Sequence, residues 1–197
     1  RPLYGLALVG GKSQRMKKDK GSLNYFGKAQ GHHVYDLLND VCGKVYISLR
    51  EEQSSLPYLN GLEEHFLYDR FLNMGPMGGL LTAFKKHPEA SWLVLACDLP
   101  NVSKEILESL LKGRNHYKKA TCFINPEKGW AEPLCTIYEP SAVRAFHQYF
   151  SLGVECPRKV LMNMPHQSVE VNSDSILKNV NTPEGYKDVK LKTKLQV

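Results

Sequence analysis

The sequence lacks long apolar runs, paired cysteines and low-complexity segments. No apolar run approaches the roughly 20 residues that a helix needs to cross a bilayer, and the apolar stretch that begins at Leu3 is too short for a signal peptide. The five cysteines are odd in number, widely scattered and without a Cys-x-x-Cys pair, which argues against a disulfide framework or a structural zinc site. We therefore expect a cytoplasmic protein with no membrane contact.

Internal repeats and Pro/Ser-rich linkers are also lacking, so the 197 residues are expected to form one domain, 1–197. A chain of this length can bury roughly 70% of its unfolded surface. Hydrophobic residues at 42% and charged residues at 23% are typical of a globular protein. The net charge of +6 suits anionic ligands, either nucleotides or nucleic acid, without choosing between them.

Strand-like apolar runs alternate along the chain with segments whose apolar residues recur at helical spacing. Strands are predicted at 3–9, 44–49, 65–68, 92–97, 120–124, 134–138 and 167–171. One helix is predicted at 30–40, closed by Gly43, and further helices after Gly75, Ser103, Pro140, Cys156 and Thr182. Ser103 and Thr182 are expected to act as N-caps. This alternation predicts an α/β protein with a mostly parallel sheet.

The segment after the first strand combines adjacent glycines with clustered cations. Leu8-Val9 leads into Gly10-Gly11, and five cations follow within nine residues: Lys12, Arg15, Lys17, Lys18 and Lys20. Glycines let the backbone approach a ligand closely, free N–H groups can form an anion site, and Arg and Lys add charge-assisted bonds to phosphate. The segment matches neither the P-loop nor the dinucleotide-binding pattern. It therefore predicts either a polyphosphate-binding loop or a solvated basic turn.

A candidate metal ligand follows the most apolar predicted strand, which stops at Asp98. Open α/β sheets bind ligands at the carboxyl ends of their strands, and Mg²⁺ favours one or two carboxylates together with phosphate oxygens. The alternative is that Asp98 caps the turn that follows. No Ser-His-Asp or Cys-His arrangement with readable spacing competes with this site.

Four motifs occur together in one order. They are Gly10-Gly11-x-Ser13-x-Arg15-Met16 with Asp19-Lys20, Asp69 with Gly75-Pro76-Met77-Gly78-Gly79, Cys97-Asp98-Leu99-Pro100, and Asn179-Val180-Asn181-Thr182-Pro183-Glu184. This combination resembles the nucleotidyltransferases that attach a nucleotide to molybdopterin, the molybdenum cofactor guanylyltransferase family. The resemblance extends from Leu3 to about Tyr186.

The resemblance implies a three-layer, doubly wound, mostly parallel α/β sheet of the Rossmann-like nucleotide-diphospho-sugar transferase type. It also implies transfer of GMP from GTP to the phosphate of molybdopterin, with release of pyrophosphate and with Mg²⁺ as cofactor. Arg15, Lys20 and Asp98 would be catalytic, and Asp98 would bind the metal. Glu132-Pro133-Leu134 would face the acceptor. The expected nucleotide-binding positions are Leu8, Val9, Gly10, Gly11, Ser13, Lys20, Ser48, Asp69, Gly75, Gly78, Gly79 and Asn181. Transient contact with other molybdenum-cofactor enzymes is a further expectation.

Three departures from the family pattern keep other functions open. Val9, Lys17 and Ser48 stand where the family usually has Ala, Gly and Asn, and these positions surround the base and the triphosphate. Cytidylyl transfer to the same acceptor is therefore the nearest alternative, followed by a sugar-phosphate nucleotidyltransferase. A relative that binds without catalysing and a basic nucleic-acid-binding module are two more. The basic segment lacks the interleaved aromatic residues that single-strand binders use, so we expect no nucleic-acid partner.

Overall fold

A computed structural model describes residues 1–9, 19–71, 73–125, 128–171 and 173–194. Within these ranges lie seven strands and six α-helices. The strands are β1 Leu3–Leu8, β2 Lys44–Leu49, β3 Phe66–Tyr68, β4 Ser91–Ala96, β5 Ala120–Ile124, β6 Ala131–Tyr138 and β7 His166–Val169. The helices are α1 Gln30–Asn39, α2 Pro76–Lys86, α3 Lys104–Lys112, α4 Pro140–Ser151, α5 Pro157–Met162 and α6 Pro183–Lys194. Short 3₁₀ turns are Lys20–Ser22, Glu51–Gln53, Pro57–Leu59, Glu63–His65 and Asp174–Leu177.

The strands form one sheet in the order β3-β2-β1-β4-β6-β5-β7. β6 pairs antiparallel with both of its neighbours, and the other pairings are parallel. Leu8 at the end of β1 is level with Ser48 of β2 and Ala96 of β4. Because β6 runs in the opposite direction, its first residues lie at the same edge as the carboxyl ends of β1, β2 and β4. This edge carries the candidate site.

Helices cover both faces of the sheet because neighbouring strand residues point to opposite sides. On one face, Leu6 and Leu8 of β1 belong to an apolar cluster with buried residues of α2, α4 and α5. On the other face, Ala7 packs in a second cluster with buried residues of α1 and α3. The expected three-layer, mostly parallel α/β architecture is confirmed. In the described part of the chain, no helix combines the length and the apolar character needed to span a membrane.

Three sequence-based expectations need correction. β6 begins at Ala131 and not at Leu134, so Glu132 and Pro133 lie inside the strand and not before it. The sequence hid this start because proline has no N–H for a strand ladder. The pairing of β5 with β6 shifts register just there.

The other two corrections concern helix ends. α1 ends at Asn39, and Gly43 does not close it; the N–H of Gly43 instead donates to Leu3 O at 3.3 Å, in the turn that enters β2. Ser103 occupies the N-cap position of α3 as expected, but its hydroxyl donates to the Glu105 carboxylate at 2.7 Å and makes no cap bond to the helix backbone. The Thr182 cap is confirmed, because its Oγ1 accepts from Gly185 N at 3.2 Å.

Candidate active site

Three side chains from distant parts of the chain converge at the carboxyl edge of the sheet. Lys20 begins a 3₁₀ turn, Asp98 lies two residues after the end of β4, and Asn181 precedes α6. Lys20 Nζ lies 3.7 Å from Asp98 Oδ2 and donates a hydrogen bond to Asn181 Oδ1. The backbone also joins these segments, since Val180 N donates to Asp98 O at 2.8 Å. All three residues were predicted from the sequence to lie at the site, and the fold brings them together.

Asp98 has a carboxylate oxygen that is available for a ligand. Its side chain is only 16% exposed, and its Oδ1 is buried without a hydrogen-bond partner among the described residues. A buried carboxylate oxygen is costly unless it is paired, so this atom fits a cation that the protein would bind together with its substrate. The described residues contain no cluster of three or more His, Cys, Asp or Glu that could hold a metal alone. Such a donor set suits Mg²⁺, which commonly takes one or two carboxylates and completes its shell with phosphates and water.

A second polar corner lies where β2 and β3 end. Ser48 Oγ donates to Asp69 Oδ1 at 2.6 Å, and Asp69 N donates to Leu49 O at 3.0 Å. Burial raises the pKa of Asp69, and the bond from Ser48 and the charge of Arg50 oppose this rise. Ser48, which stands where the family usually has Asn, therefore uses its hydroxyl to hold the Asp69 carboxylate in place.

The glycines at the start of α2 have steric reasons to be glycine. A Cβ at Gly79 would lie 2.4 Å from Ser48 Oγ, and one at Gly78 would lie 2.4 Å from Phe71 O. Gly75, just before the helix, adopts a φ of +53°, which side chains other than glycine rarely allow. These glycines bring the N-terminus of α2 against β1, β2 and the loop after β3. Their direct contact with a nucleotide stays a prediction.

A cleft of about 560 Å³ adjoins the Lys20–Asp98 pair and shares Asn181 with it. It is lined by Asn125, Lys128, Trp130, Glu132, Arg158, Leu177, Lys178, Asn179 and Asn181. The guanidinium carbon of Arg158 lies 4.2 Å from the centre of the Trp130 ring, and Lys128 Nζ lies 5.1 Å from it. Arg158 Nε is buried without a hydrogen-bond partner among the described residues. The cleft therefore offers cations and an aromatic face to a flat, anionic molecule.

Glu132 forms part of the wall of this cleft and is 3% exposed. Its Oε1 accepts a hydrogen bond from Leu134 N at 2.9 Å. Burial raises the pKa of Glu132 to about 7, and the charge of Asp98 adds to the rise, whereas the Leu134 N–H, Arg158 and Lys128 lower it. At neutral pH a large fraction of this carboxyl is therefore uncharged and can donate a hydrogen bond.

The remaining sequence-predicted site residues divide into two groups. Leu8 and Val9 are 7% and 3% exposed, and their side chains belong to the core; the main chain of Val9 donates to Ser48 O at 3.2 Å. Gly10, Gly11, Ser13 and Arg15 lie outside the described residues. Their expected roles at the triphosphate stay predictions.

Sequence reasoning missed three residues that shape the site: Gln53, Tyr58 and Trp130. Gln53 and Tyr58 lie in short 3₁₀ turns, where no strand or helix periodicity marks a buried face. Trp130, two residues before Glu132-Pro133, was the one with a readable signal, because tryptophan next to a suspected acceptor segment favours a stacking surface. For Arg158 the sequence leaves two interpretations open, contact with an anionic acceptor or exposure to solvent, and the structure places it in the cleft.

The chain is similar to known proteins over most of its length. The family described as MobA-like NTP transferase domain matches residues 5–169. A "Molybdenum cofactor biosynthesis bifunctional protein" from Synechocystis is 39% identical over 94% of the chain, and the chain spans about half of that relative's length, 53%. A "Molybdenum cofactor guanylyltransferase" from Pseudomonas fluorescens is 26% identical, over 93% of this chain and 91% of its own.

Among solved structures, "Molybdopterin-guanine dinucleotide biosynthesis protein A" from Archaeoglobus fulgidus has the same fold. Its TM-score is 0.78 at 22% identity, over 98% of this chain and 99% of its own. The expected Rossmann-like nucleotide-diphospho-sugar transferase type of fold is thereby confirmed. The family match covers most of the sequence, including Lys20, Asp98 and Glu132. The chain belongs to the MobA-like NTP transferase domain family.

Proposed function

We propose that the protein transfers GMP from GTP to the phosphate of molybdopterin and releases pyrophosphate. The observation that carries the proposal is the meeting of Lys20, Asp98 and Asn181 beside the cationic cleft, which Asn181 also lines. The names of the guanylyltransferase relatives supply the identity of the two substrates. The reaction requires a triphosphate and an anionic acceptor to lie side by side, and Asn181 belongs to both parts of the site.

The chemistry needs positioning and charge stabilisation more than proton transfer. A phosphate monoester is largely dianionic at neutral pH, since its second pKa is about 6. An acceptor phosphate oxygen therefore attacks the α-phosphorus without a general base, the bond from the α-phosphorus to the β-bridging oxygen breaks, and pyrophosphate leaves. A fixed arrangement of the two substrates supplies a large part of such a rate enhancement.

The residues of the chain divide this task. Lys20 holds the leaving phosphates and stabilises the charge that develops on them, and Arg15 is expected to share that role. Asp98 would hold Mg²⁺ through its free Oδ1, and the ion would neutralise phosphate charge. Arg158 and Lys128, over the Trp130 ring, bind the acceptor, and Asn181 keeps Lys20 directed toward Asp98.

The test is a steady-state assay of pyrophosphate release with purified molybdopterin and each of the four nucleoside triphosphates. We expect kcat/KM to be highest for GTP, because a pocket that hydrogen-bonds one base leaves buried polar groups unpaired with another. Preference for CTP would contradict the guanylyl assignment while leaving nucleotidyl transfer in place. We expect oligonucleotides not to compete with GTP.

Asp98→Asn in the same assay tests the metal role. The amide keeps the shape of the side chain but removes the charge, so we expect kcat to fall at least about 100-fold, as for other lost transition-state charge contacts. Asp40→Asn is the matched control, because Asp40 is an exposed carboxylate that pairs with Lys104 and does not line the cleft. Near-normal activity of Asp98→Asn at low Mg²⁺ would rule out Asp98 as the ligand. An unfolded variant would favour the turn-capping alternative.

A further inference from the structure

The segment between β2 and β3 sends two polar side chains to a single carboxylate next to Lys20. Asp19 Oδ1 accepts hydrogen bonds from Gly21 N at 2.9 Å and from the Tyr58 hydroxyl at 2.7 Å. Its Oδ2 accepts from Gln53 Nε2 at 2.7 Å. Both oxygens of Asp19 are therefore engaged by donors, in a pattern that an ionised carboxylate satisfies and an amide cannot.

Gln53 connects Asp19 to the end of the first strand. It is 4% exposed, and its Nε2 lies 3.4 Å from Val9 O in addition to its bond to Asp19. Its Oε1 accepts from Arg50 N at 3.0 Å, so the amide is held at both of its polar ends. Val9 and Asp19 are the described residues on either side of residues 10–18, and one buried side chain contacts both.

Tyr58 reaches Asp19 through a space that two glycines leave open. A Cβ at Gly21 would lie 2.2 Å from the Tyr58 hydroxyl oxygen, and a Cβ at Gly31 would lie 2.6 Å from its Cε2. Burial, followed by the charge of Asp19, holds the pKa of Tyr58 far above its usual value. The phenol thus stays a neutral hydrogen-bond donor, seated against the main chain that carries Lys20.

Lys20 is the next residue after this carboxylate, and Asp19 caps the 3₁₀ turn that Lys20 begins. The backbone position of Lys20 is therefore fixed by Asp19, while its Nζ is directed by Asn181 and Asp98. The lysine side chain has four rotatable bonds, and ordering them on a bound phosphate costs conformational entropy. This cost is smaller when the backbone and the Nζ of Lys20 are already held in place.

We infer that Gln53 and Tyr58 are positioning residues that act through Asp19 to place Lys20 for phosphate binding. Neither residue needs to touch the substrate, since both bond the side-chain carboxylate of Asp19, the residue before the lysine. The inference rests on the proposed role of Lys20 as a phosphate ligand, and it adds two residues from a segment outside the four sequence motifs.

The test is a double-mutant cycle on the affinity for inorganic pyrophosphate with Mg²⁺, measured by calorimetry. Pyrophosphate is the leaving group of any nucleotidyl transfer, so the readout does not depend on the base or on the acceptor. The proteins are the wild type, Tyr58→Phe, Lys20→Ala and the double variant. We expect Tyr58→Phe to weaken binding about tenfold in the wild type and less than twofold when Lys20 is absent, because coupled residues are not additive.

Controls separate positioning from a general loss of structure. Tyr35→Phe removes another partly buried phenol, one that bonds His65 at 3.0 Å, and it should leave pyrophosphate affinity unchanged. Gln53→Leu should repeat the behaviour of Tyr58→Phe, with thermal melting confirming that each variant is folded.

Three results would overturn the inference: equal losses in the presence and absence of Lys20, no loss in Tyr58→Phe, or a wild-type affinity that does not depend on Lys20. A preference for CTP in the turnover assay would contradict the proposed function without changing the expected result of this cycle.

Discussion

Glu132→Gln should stabilise the protein at pH 8 and have little effect at pH 5. The carboxyl of Glu132 is 3% exposed, and burial raises its pKa from 4.5 to about 7. Between these two values the folded protein keeps a proton that the unfolded chain releases. Stability therefore decreases as the pH rises through this window and stays lower above it.

The magnitude follows from the size of the shift. A rise of about 2.5 pKa units, at about 1.4 kcal/mol per unit, corresponds to roughly 3 kcal/mol of stability lost between pH 5 and pH 8. Glutamine has the shape of the protonated carboxyl and retains an oxygen that can accept from Leu134 N. The variant should thus be about 3 kcal/mol more stable than the wild type at pH 8, and its stability should depend less on pH.

Glu139, which follows the same strand, provides an opposite control. It is 1% exposed, but Arg114 Nε donates to its Oε1 at 2.7 Å and Ser91 Oγ donates to its Oε2 at 2.7 Å. Burial acts to raise the pKa of Glu139, and the bonds from Arg114 and Ser91 outweigh it, so its pKa is lowered. Glu139→Gln should cost about 3–5 kcal/mol at both pH 5 and pH 8, because it breaks a buried ion pair.

The assay is urea unfolding of the three proteins, followed by tryptophan fluorescence and circular dichroism at pH 5, 6, 7 and 8. The free energy of unfolding in water is extrapolated at each pH. If Glu132→Gln retains the wild-type dependence on pH, or destabilises the protein at pH 8, then Glu132 is not the buried, partly neutral acid described above.

Two further predictions concern the N-terminus of α2 and the cleft. Gly79→Ala should destabilise the protein by about 1–3 kcal/mol, because its Cβ would overlap Ser48 Oγ. The control is Gly185→Ala in α6, whose Cβ would make ordinary contacts of 3.5 Å. It should stabilise the protein by about 0.5–1 kcal/mol, because alanine favours a helix more than glycine does. If the two variants change the melting temperature equally, the close contact of Gly79 with Ser48 does not explain why residue 79 is glycine. Arg158→Ala should raise the KM for molybdopterin about 10- to 100-fold, the equivalent of lost charge-assisted bonds, and leave the KM for GTP unchanged. Arg144→Ala, on the exposed side of α4, is its control. An equal rise in the KM for molybdopterin in that variant would mean that net charge, and not the cleft contact, causes the effect.

Features that depend only on residues close together in the sequence could be predicted from it. Apolar runs gave the strands to within a few residues, and their alternation with helical spacing gave a mostly parallel sheet. Asp98 could be placed at the ligand-binding edge because a buried strand that stops at a carboxylate must end at that edge. Thr182 could be identified as a cap because its bond to Gly185 spans only three residues.

Contacts between distant segments could not be predicted in this way. Asp19 meets Gln53 and Tyr58 across 34 and 39 residues, from turns whose sequences show no periodicity. The stacking of Arg158 on Trp130 depends on how α5 packs beside β6. The apolar patterns of the helix and of the strand do not specify that packing. Asp19 appeared in a motif without an evident role, and its role became visible only with its three donors in place.

The direction of β6 explains why the two halves of the site are adjacent. In a sheet of parallel strands alone, the neighbour of β4 would bring its carboxyl end to the edge where Asp98 lies, and a helix would follow. Here β6 enters the sheet at that edge, so Trp130 and Glu132 stand beside the end of β4, which Asp98 follows. Burial raises the pKa of Glu132, and the charge of Asp98 adds to the rise. The nucleotidyl transfer proposed above requires such proximity between its two substrates, and the reversal of one strand brings the two halves of the site together.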